Sequence, residues 1–364
     1  MDHSEEFIWL SDGEEAEVSV VAPDELTAEA AFGRASVAAR IPGAVSPVHV
    51  AAVPERGGWA AASDTHTAPD LISVPSRSIL LVADTPASGL GFPPEEAMNE
   101  ILRIGLPELS TVRMNAAGVG RMCEFGAEAA AEDAMIEEED LEFLTPFSAA
   151  DSDSLGRRAI SAGEREWNEG VSIRLYEVGE VFDSDGMESL GVEAGMLVVE
   201  VGVGAGELGR IGASLHRERI SARIESGDFD PPEDLPSAPL ETEEASDFLS
   251  ASRAAANFAD GRAALAVFAL QRAMREMAGR LDIRAAWRGG GIGEGDDYIV
   301  HRRGFAEAGE GAAVVSGGVL SVGMGTMYAN APPFGVSVED GRWLWEEAGL
   351  LGRWAALDLL GGEG

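Results

Sequence analysis

The sequence contains no lysine: all 26 of its basic residues are arginine, set against 64 acidic residues for a formal net charge of -38. A basic footprint of the usual nucleic-acid-binding kind is therefore missing. So dense a negative charge strains a compact state in dilute buffer, but screening shortens to about 3 Å at 1 M salt. The composition thus points to a salt-rich cytoplasm, that of a halophilic archaeon, where acidity alone does not exclude RNA as a partner. Cysteine is scarce too. Cys123 stands alone, which excludes an internal disulfide and a cysteine-based zinc cluster. There are five histidines, His3, His49, His66, His216 and His301. No apolar run approaches the roughly 20 residues that span a bilayer, and the opening M-D-H-S-E-E has no basic n-region. A cytoplasmic protein that does not enter a membrane is expected.

What is present is the material of a core. Of 364 residues, 45% are apolar, enough for one large core or two modest ones. Residues 1–40 form an acidic, alanine-rich segment with a short helix expected over Glu25 to Phe32. From Pro47 to Asp84 the pattern is strand-like: V-H-V-A-A-V, a turn at Arg56-Gly57-Gly58, then L-I-S-V-P and I-L-L-V-A. The acids of P-P-E-E open a helix over Pro94 to Ile104. G-V-G at Gly118 to Gly120 reads as a turn before an alanine- and glutamate-rich helix, whose acidic run Glu137 to Asp140 is a solvated face rather than a cation site. Between Arg157 and Leu215 the pattern gives a helix, a strand (Val171 to Val178), a short helix, a buried strand (Met196 to Val201) and a glycine turn (Gly202 to Gly209). That turn also fits a dinucleotide fingerprint, a weak signal without a βαβ unit and a ribose-binding acid. Asp228 to Glu244 is a proline-rich, acidic surface linker. A long helix follows from Ala245 to Leu281, its apolar side marked by Phe248, Ala255, Phe258, Leu265, Phe268, Leu270 and Met274. The tail, Trp343 to Leu360, is apolar at helical spacing.

Residues with chemistry to offer are concentrated between Tyr298 and Tyr328. A short strand, Tyr298 to Val300, delivers His301, Arg302 and Arg303 to a turn at Gly304, and two fixed cations can grip phosphate or carboxylate. A second apolar piece reaches Gly323, Met324, Gly325 and Thr326. Glycines there let the backbone approach a ligand, and successive N–H groups can form an anion nest. The plain alternative is a hairpin with an ordinary glycine turn.

V-H-R-R-G (300–304) and V-G-M-G-T (322–326) resemble the V-H-R-K-G and P-G-S-M-G-T stretches of the RtcB family of RNA ligases. The longest match is L-P-S-A-P-L-E-T-E-E-A-S-D-F-L-S-A-S-R-A-A-A-N-F-A (235–259), similar to the family's A-P-L-x-S-x-E-G-x-D-Y-L-x-A-M-x-x-A-x-N-F-A. The likeness extends over roughly Pro47 to Arg342. It implies an α+β, RtcB-like single large domain over residues 41–364, with mixed and antiparallel sheets packed against helices. The family joins an RNA 3′-phosphate or 2′,3′-cyclic phosphate to a 5′-hydroxyl, using manganese, GTP and a guanylylated histidine. Here the chain departs from the family. The resemblance places the metal-ligand positions at Val74, Arg77, Ser172, Gly202 and near Trp287, and the nucleophile at Glu339 or Asp340. Manganese needs carboxylate or imidazole ligands, and the chemical step needs an imidazole that can carry GMP. Trp287 is expected to fill the vacated pocket.

The expectation is a catalytically inactive RtcB-like scaffold without a cofactor, retaining a phosphate-binding remnant at Arg302, Arg303 and Gly323 to Thr326. Asn257 either hydrogen-bonds a ligand or fixes the helix it stands on. The implied partners are RNA ends or an active RtcB-type ligase, in a homo- or hetero-oligomer, with no DNA. Two alternatives stand beside it: a structural or assembly subunit with no RNA contact, and an active manganese- and GTP-dependent ligase with displaced ligands.

Overall fold

A computed structural model describes residues 5–9, 16–22, 25–53, 56–90, 96, 114–134, 143–144, 150–232, 234–295, 297–306, 313–316, 319–323 and 351–362. In chain order its elements are β1 (Glu5–Trp9), β2 (Val18–Ala22), α1 (Glu25–Ala35), β3 (Ala44–Val53), β4 (Arg56–Ser63), β5 (His66–Thr67), β6 (Ser76–Pro86), α2 (Ala116–Phe125) and α3 (Ala127–Ala134). They continue with α4 (Gly156–Glu166), β7 (Val171–Val181), α5 (Ser184–Leu190), β8 (Met196–Gly204), α6 (Gly206–Glu225), β9 (Ala238–Pro239), α7 (Glu243–Ala278), β10 (Leu281–Glu294), β11 (Ile299–Ala306), β12 (Ala313–Ser316), β13 (Val319–Gly323) and β14 (Leu351–Gly362). Twelve strands form one sheet in the order β1-β2-β3-β4-β11-β10-β6-β8-β7-β14-β13-β12, and β5 pairs separately with β9. The parallel pairing of β2 with β3 makes the sheet mixed. The fold is α+β, and β1 and β2 from the acidic N-terminal segment extend the same sheet through β3.

Residues 79–83 of β6 and 196–199 of β8 are continuous apolar runs because both faces of the sheet are covered there. On one face Ile79, Leu81, Val199, Val201 and Leu175 pack against Ala255, Phe258 and Leu265 of α7. On the other, Leu80, Val82, Tyr176, Val198 and Trp287 meet Leu320 and Leu357. This second core exists because the sheet curls until β12 touches β10. A third cluster, with Val18, Val20, Ala28, Ala31 and Trp59, seats α1 on the N-terminal strands.

The long helix is well specified locally. The Thr242 hydroxyl accepts from Ala245 N–H, Glu243 and Glu244 sit at the positive end of the dipole, and Gly279 (φ 74°) ends the helix. Gly261 lets the α2–α3 corner cross closely: a Cβ there would lie 2.7 Å from Met122 Cε and 2.9 Å from the Gly126 carbonyl.

Several local expectations give way to tertiary context. Gly118 to Gly120 lie inside α2 rather than in a turn, because Asn115 caps Gly118 N–H and Val119 and Met122 are buried. The glycine turn over Gly202 to Gly209 shrinks to Ala205, with Gly202 and Gly204 in β8 and Gly206 and Gly209 in α6. L-I-S-V-P is no strand: a 3-10 turn (Pro69–Leu71) leads into an extended link whose Ser73 carbonyl accepts from Gly291 N–H. Arg56-Gly57-Gly58 opens β4, with Arg56 opposite Val53. Gly304 lies within β11, which runs straight through His301, Arg302 and Arg303. The tail is strand over 351–362, not helix. Register shifts where β14 meets β7 break its alternation, so the two-residue period is hidden in the sequence. The helix over Pro94 to Ile104, apart from Glu96, and the acidic run Glu137 to Asp140 lie outside the described residues. Among those residues no helix is long and apolar enough to cross a membrane.

Candidate functional site

Strand register gathers residues that are distant in sequence. Trp287 stands opposite Ser78, Ser78 opposite Gly202, and Gly202 opposite Ser172. Three of the implied metal positions, Ser172, Gly202 and Trp287, therefore share one row across β10, β6, β8 and β7, and directly opposed side chains share a face. The row faces the core enclosed by the curled sheet. Ser172 Oγ donates to the Gly202 carbonyl at 3.2 Å. A Cβ on Gly202 would come 2.6 Å from Ser172 Oγ and 3.8 Å from Ser78 Oγ, so the Ser172 hydroxyl occupies space a side chain on Gly202 would need, while Ser78 would be in ordinary contact. Ser78 and Trp287 are buried. Hydroxyls and an indole are a poor set for a divalent cation.

On the same face of β8, Glu200 stands opposite Leu80 and Arg174. It accepts from Tyr176 Oη at 3.0 Å and from Arg174 Nη1 at 3.3 Å. Burial holds the Glu200 carboxyl above the usual carboxylate range, against the opposing pull of Arg174 and Tyr176. Burial, then the Glu200 charge, pushes the Tyr176 phenol up as well. The pair is an internal polar patch.

Arg77 points the other way. It lies opposite Arg288 and Val203, in the next row, and that row faces α7. Its Nε is 3.6 Å from Asp260 Oδ1, while Arg288 Nη2 donates to Asp260 Oδ2 at 2.7 Å. Asp260 is fully buried. Arg77 also donates to the Phe143 carbonyl. Two residues beyond Asp260, the buried Arg262 donates to the carbonyls of Trp167, Glu169 and Gly204. Burial lowers the Arg262 pKa to about 10, opposed by Glu166 and Glu169. These bonds fasten the end of β8 and the α4–β7 turn to α7. Val74, the fifth implied position, packs with Cγ1 3.0 Å from where a Cβ on Gly209 would stand.

The residues of the expected phosphate-binding remnant are dispersed. Arg302 and Arg303 are neighbours in β11 and alternate across the sheet. Arg302 is buried and donates to the Ile292 carbonyl at 3.0 Å. Arg303 is exposed, lies 5.0 Å over the Trp59 ring and donates to the Asp70 carbonyl. Asn257 is fully buried, and its Nδ2 donates to the Cys123 and Glu124 carbonyls, fixing the end of α2 on α7. Gly323 ends β13, separated from β11 in the sheet by β10, β6, β8, β7 and β14. Met324, Gly325, Thr326, Glu339 and Asp340 lie outside the described residues.

The described histidines are engaged in the structure rather than gathered. His301 Nε2 lies 3.0 Å from Ala68 N and 3.1 Å from Thr67 Oγ1, and His216 Nε2 lies 2.9 Å from the Ser154 carbonyl. Among the described residues, no three His, Cys, Asp or Glu side chains form a group that could hold a metal ion. Sequence reasoning passed over Asp260, Arg262, Glu200 and Ser78. The first two had a signal: a D-G-R step inside the longest apolar helix, where charged residues are buried only when partnered. No family model matches the chain, and no curated protein matches it.

Proposed function

We propose that this chain is a catalytically inactive RtcB-like protein that acts by binding RNA ends bearing a terminal phosphate, alone or beside an active ligase. The observation that carries the reading is the row Trp287, Ser78, Gly202 and Ser172. The resemblance assigns three of its members to one metal centre from widely separated stretches of sequence, and their meeting on adjacent strands supports an RtcB-like arrangement. The chemistry of the row supports the inactive half of the reading. It offers two hydroxyls, a glycine and an indole where manganese needs carboxylates or imidazoles. Shifting the implied correspondence by one residue, from Arg77 to Ser78, brings that position onto the same face. The net charge of -38 supports a salt-rich cytoplasm such as that of a halophilic archaeon.

Fluorescence anisotropy in molar KCl, with labelled oligoribonucleotides ending in a 3′-phosphate or a 3′-hydroxyl, tests the binding half. Tighter binding of the 3′-phosphate end is the expected result. No binding, or equal binding of both ends, would overturn it and favour an assembly subunit without RNA contact, the reading that the chain's acidity favours.

A further inference from the structure

A cavity of about 350 Å³ lies between α4 and α6, away from the row at Ser172 and Gly202 and sharing no side chain with it. Arg157 and Arg158 enter it from α4, and Arg210 and Arg219 from α6. Glu218 is the one acidic side chain among the described residues of its lining. With Glu207 and Asp247, which pair with two of these arginines, four guanidinium groups meet three carboxylates, in a chain with 64 acids and 26 arginines.

Two of these cations are already paired within the chain. Arg210 pairs with Glu207 three residues earlier, and Arg219 with Asp247 at 3.2 Å, all four side chains being more than a third exposed. The Arg210–Glu207 pair is bidentate, through Nε at 2.7 Å and through Nη2, whereas the Arg219–Asp247 pair is a single exposed contact of the kind that contributes little. Arg157 and Arg158 are exposed and form no ion pair among the described residues. Ser214 adds a hydroxyl to the wall, and Leu155 and Leu215 give the cavity an apolar floor.

We propose that this cavity binds a small organic phosphate carrying at least two negative charges. Planar guanidinium forks match phosphate oxygens two at a time, and four of them suit a multiply charged group better than a single carboxylate. The apolar floor accommodates the organic part, and the volume lies at the lower end of the roughly 300–1,000 Å³ of small-molecule sites. A polymer would require an extended track of cations. The proposal stands independently of the RtcB-like reading.

Isothermal titration calorimetry of the full chain with ADP and with pyrophosphate, in dilute and in molar KCl, provides the test. Saturable one-to-one binding is expected. The double variant Arg157→Ala/Arg158→Ala should weaken it by about tenfold for each charge-assisted hydrogen bond removed. Arg165→Ala, an exposed α4 arginine outside the lining, removes one charge with little effect on affinity. Absence of heat with both probes, equal weakening by the two variants, or equally strong competition from an oligonucleotide without terminal phosphates would overturn the proposal.

Discussion

Asp260 compensates two arginines from a position with no solvent access. Removing one member of a buried ionic group leaves the others charged and unpaired, so Asp260→Ala should lose about 3–5 kcal/mol, measured by denaturant unfolding. His301 makes a second residue-scale prediction. Its Nε2 accepts from Ala68 N–H, which leaves the proton on Nδ1 toward the Ala61 carbonyl. Burial lowers its pKa from 6.5 to about 4. The unfolded chain takes up the proton first as pH falls, so His301's contribution is complete above pH 6.5 and is lost from there down through pH 4, by up to about 3 kcal/mol. The stability difference between the wild type and His301→Gln should therefore shrink across that window. A constant difference would contradict the buried neutral imidazole. His216, also shifted down by burial, titrates in the same direction and is present in both proteins.

At the scale of elements, close approach and open space make opposite predictions for the same substitution. Gly261→Ala puts a methyl against the Gly126 carbonyl at the α2–α3 corner and should lower stability by about 1–3 kcal/mol. Gly33→Ala in α1 meets nothing within 4 Å and should raise it by about 0.5–1 kcal/mol. Thermal melts of the two variants check both signs. The same distinction separates what the sequence revealed from what it concealed. α1, β7, β8 and α7 were legible because each carries an unbroken period or a continuous buried run. β14 was not, because bulges interrupt its alternation, and Gly118 to Gly120 were not, because a cap and tertiary burial outweigh glycine's poor helix propensity. The face of each residue at the candidate site depended on register. A shift of one residue separates Ser78, in the row with Gly202, from Arg77, against Asp260. Neither composition nor motif spacing contains that information.

For the whole molecule, charge sets the conditions under which the fold persists. Exposed pairs such as Arg217 with Asp70 and Arg40 with Asp234 are already counted in the net -38, and the acids in excess of the arginines repel one another. The melting temperature should rise from dilute to molar KCl, and a flat or falling curve would contradict a salt-adapted surface. The function proposed above takes the row of Trp287, Ser78, Gly202 and Ser172 as the remnant of an RtcB-like centre without ligase chemistry. The most direct test is incubation of the protein in molar KCl with Mn²⁺ and labelled GTP, followed by denaturing electrophoresis and a metal assay. Neither bound manganese nor a covalent guanylyl adduct should be found. A stable adduct would contradict the inactive scaffold, and the labelled residue would locate the nucleophile.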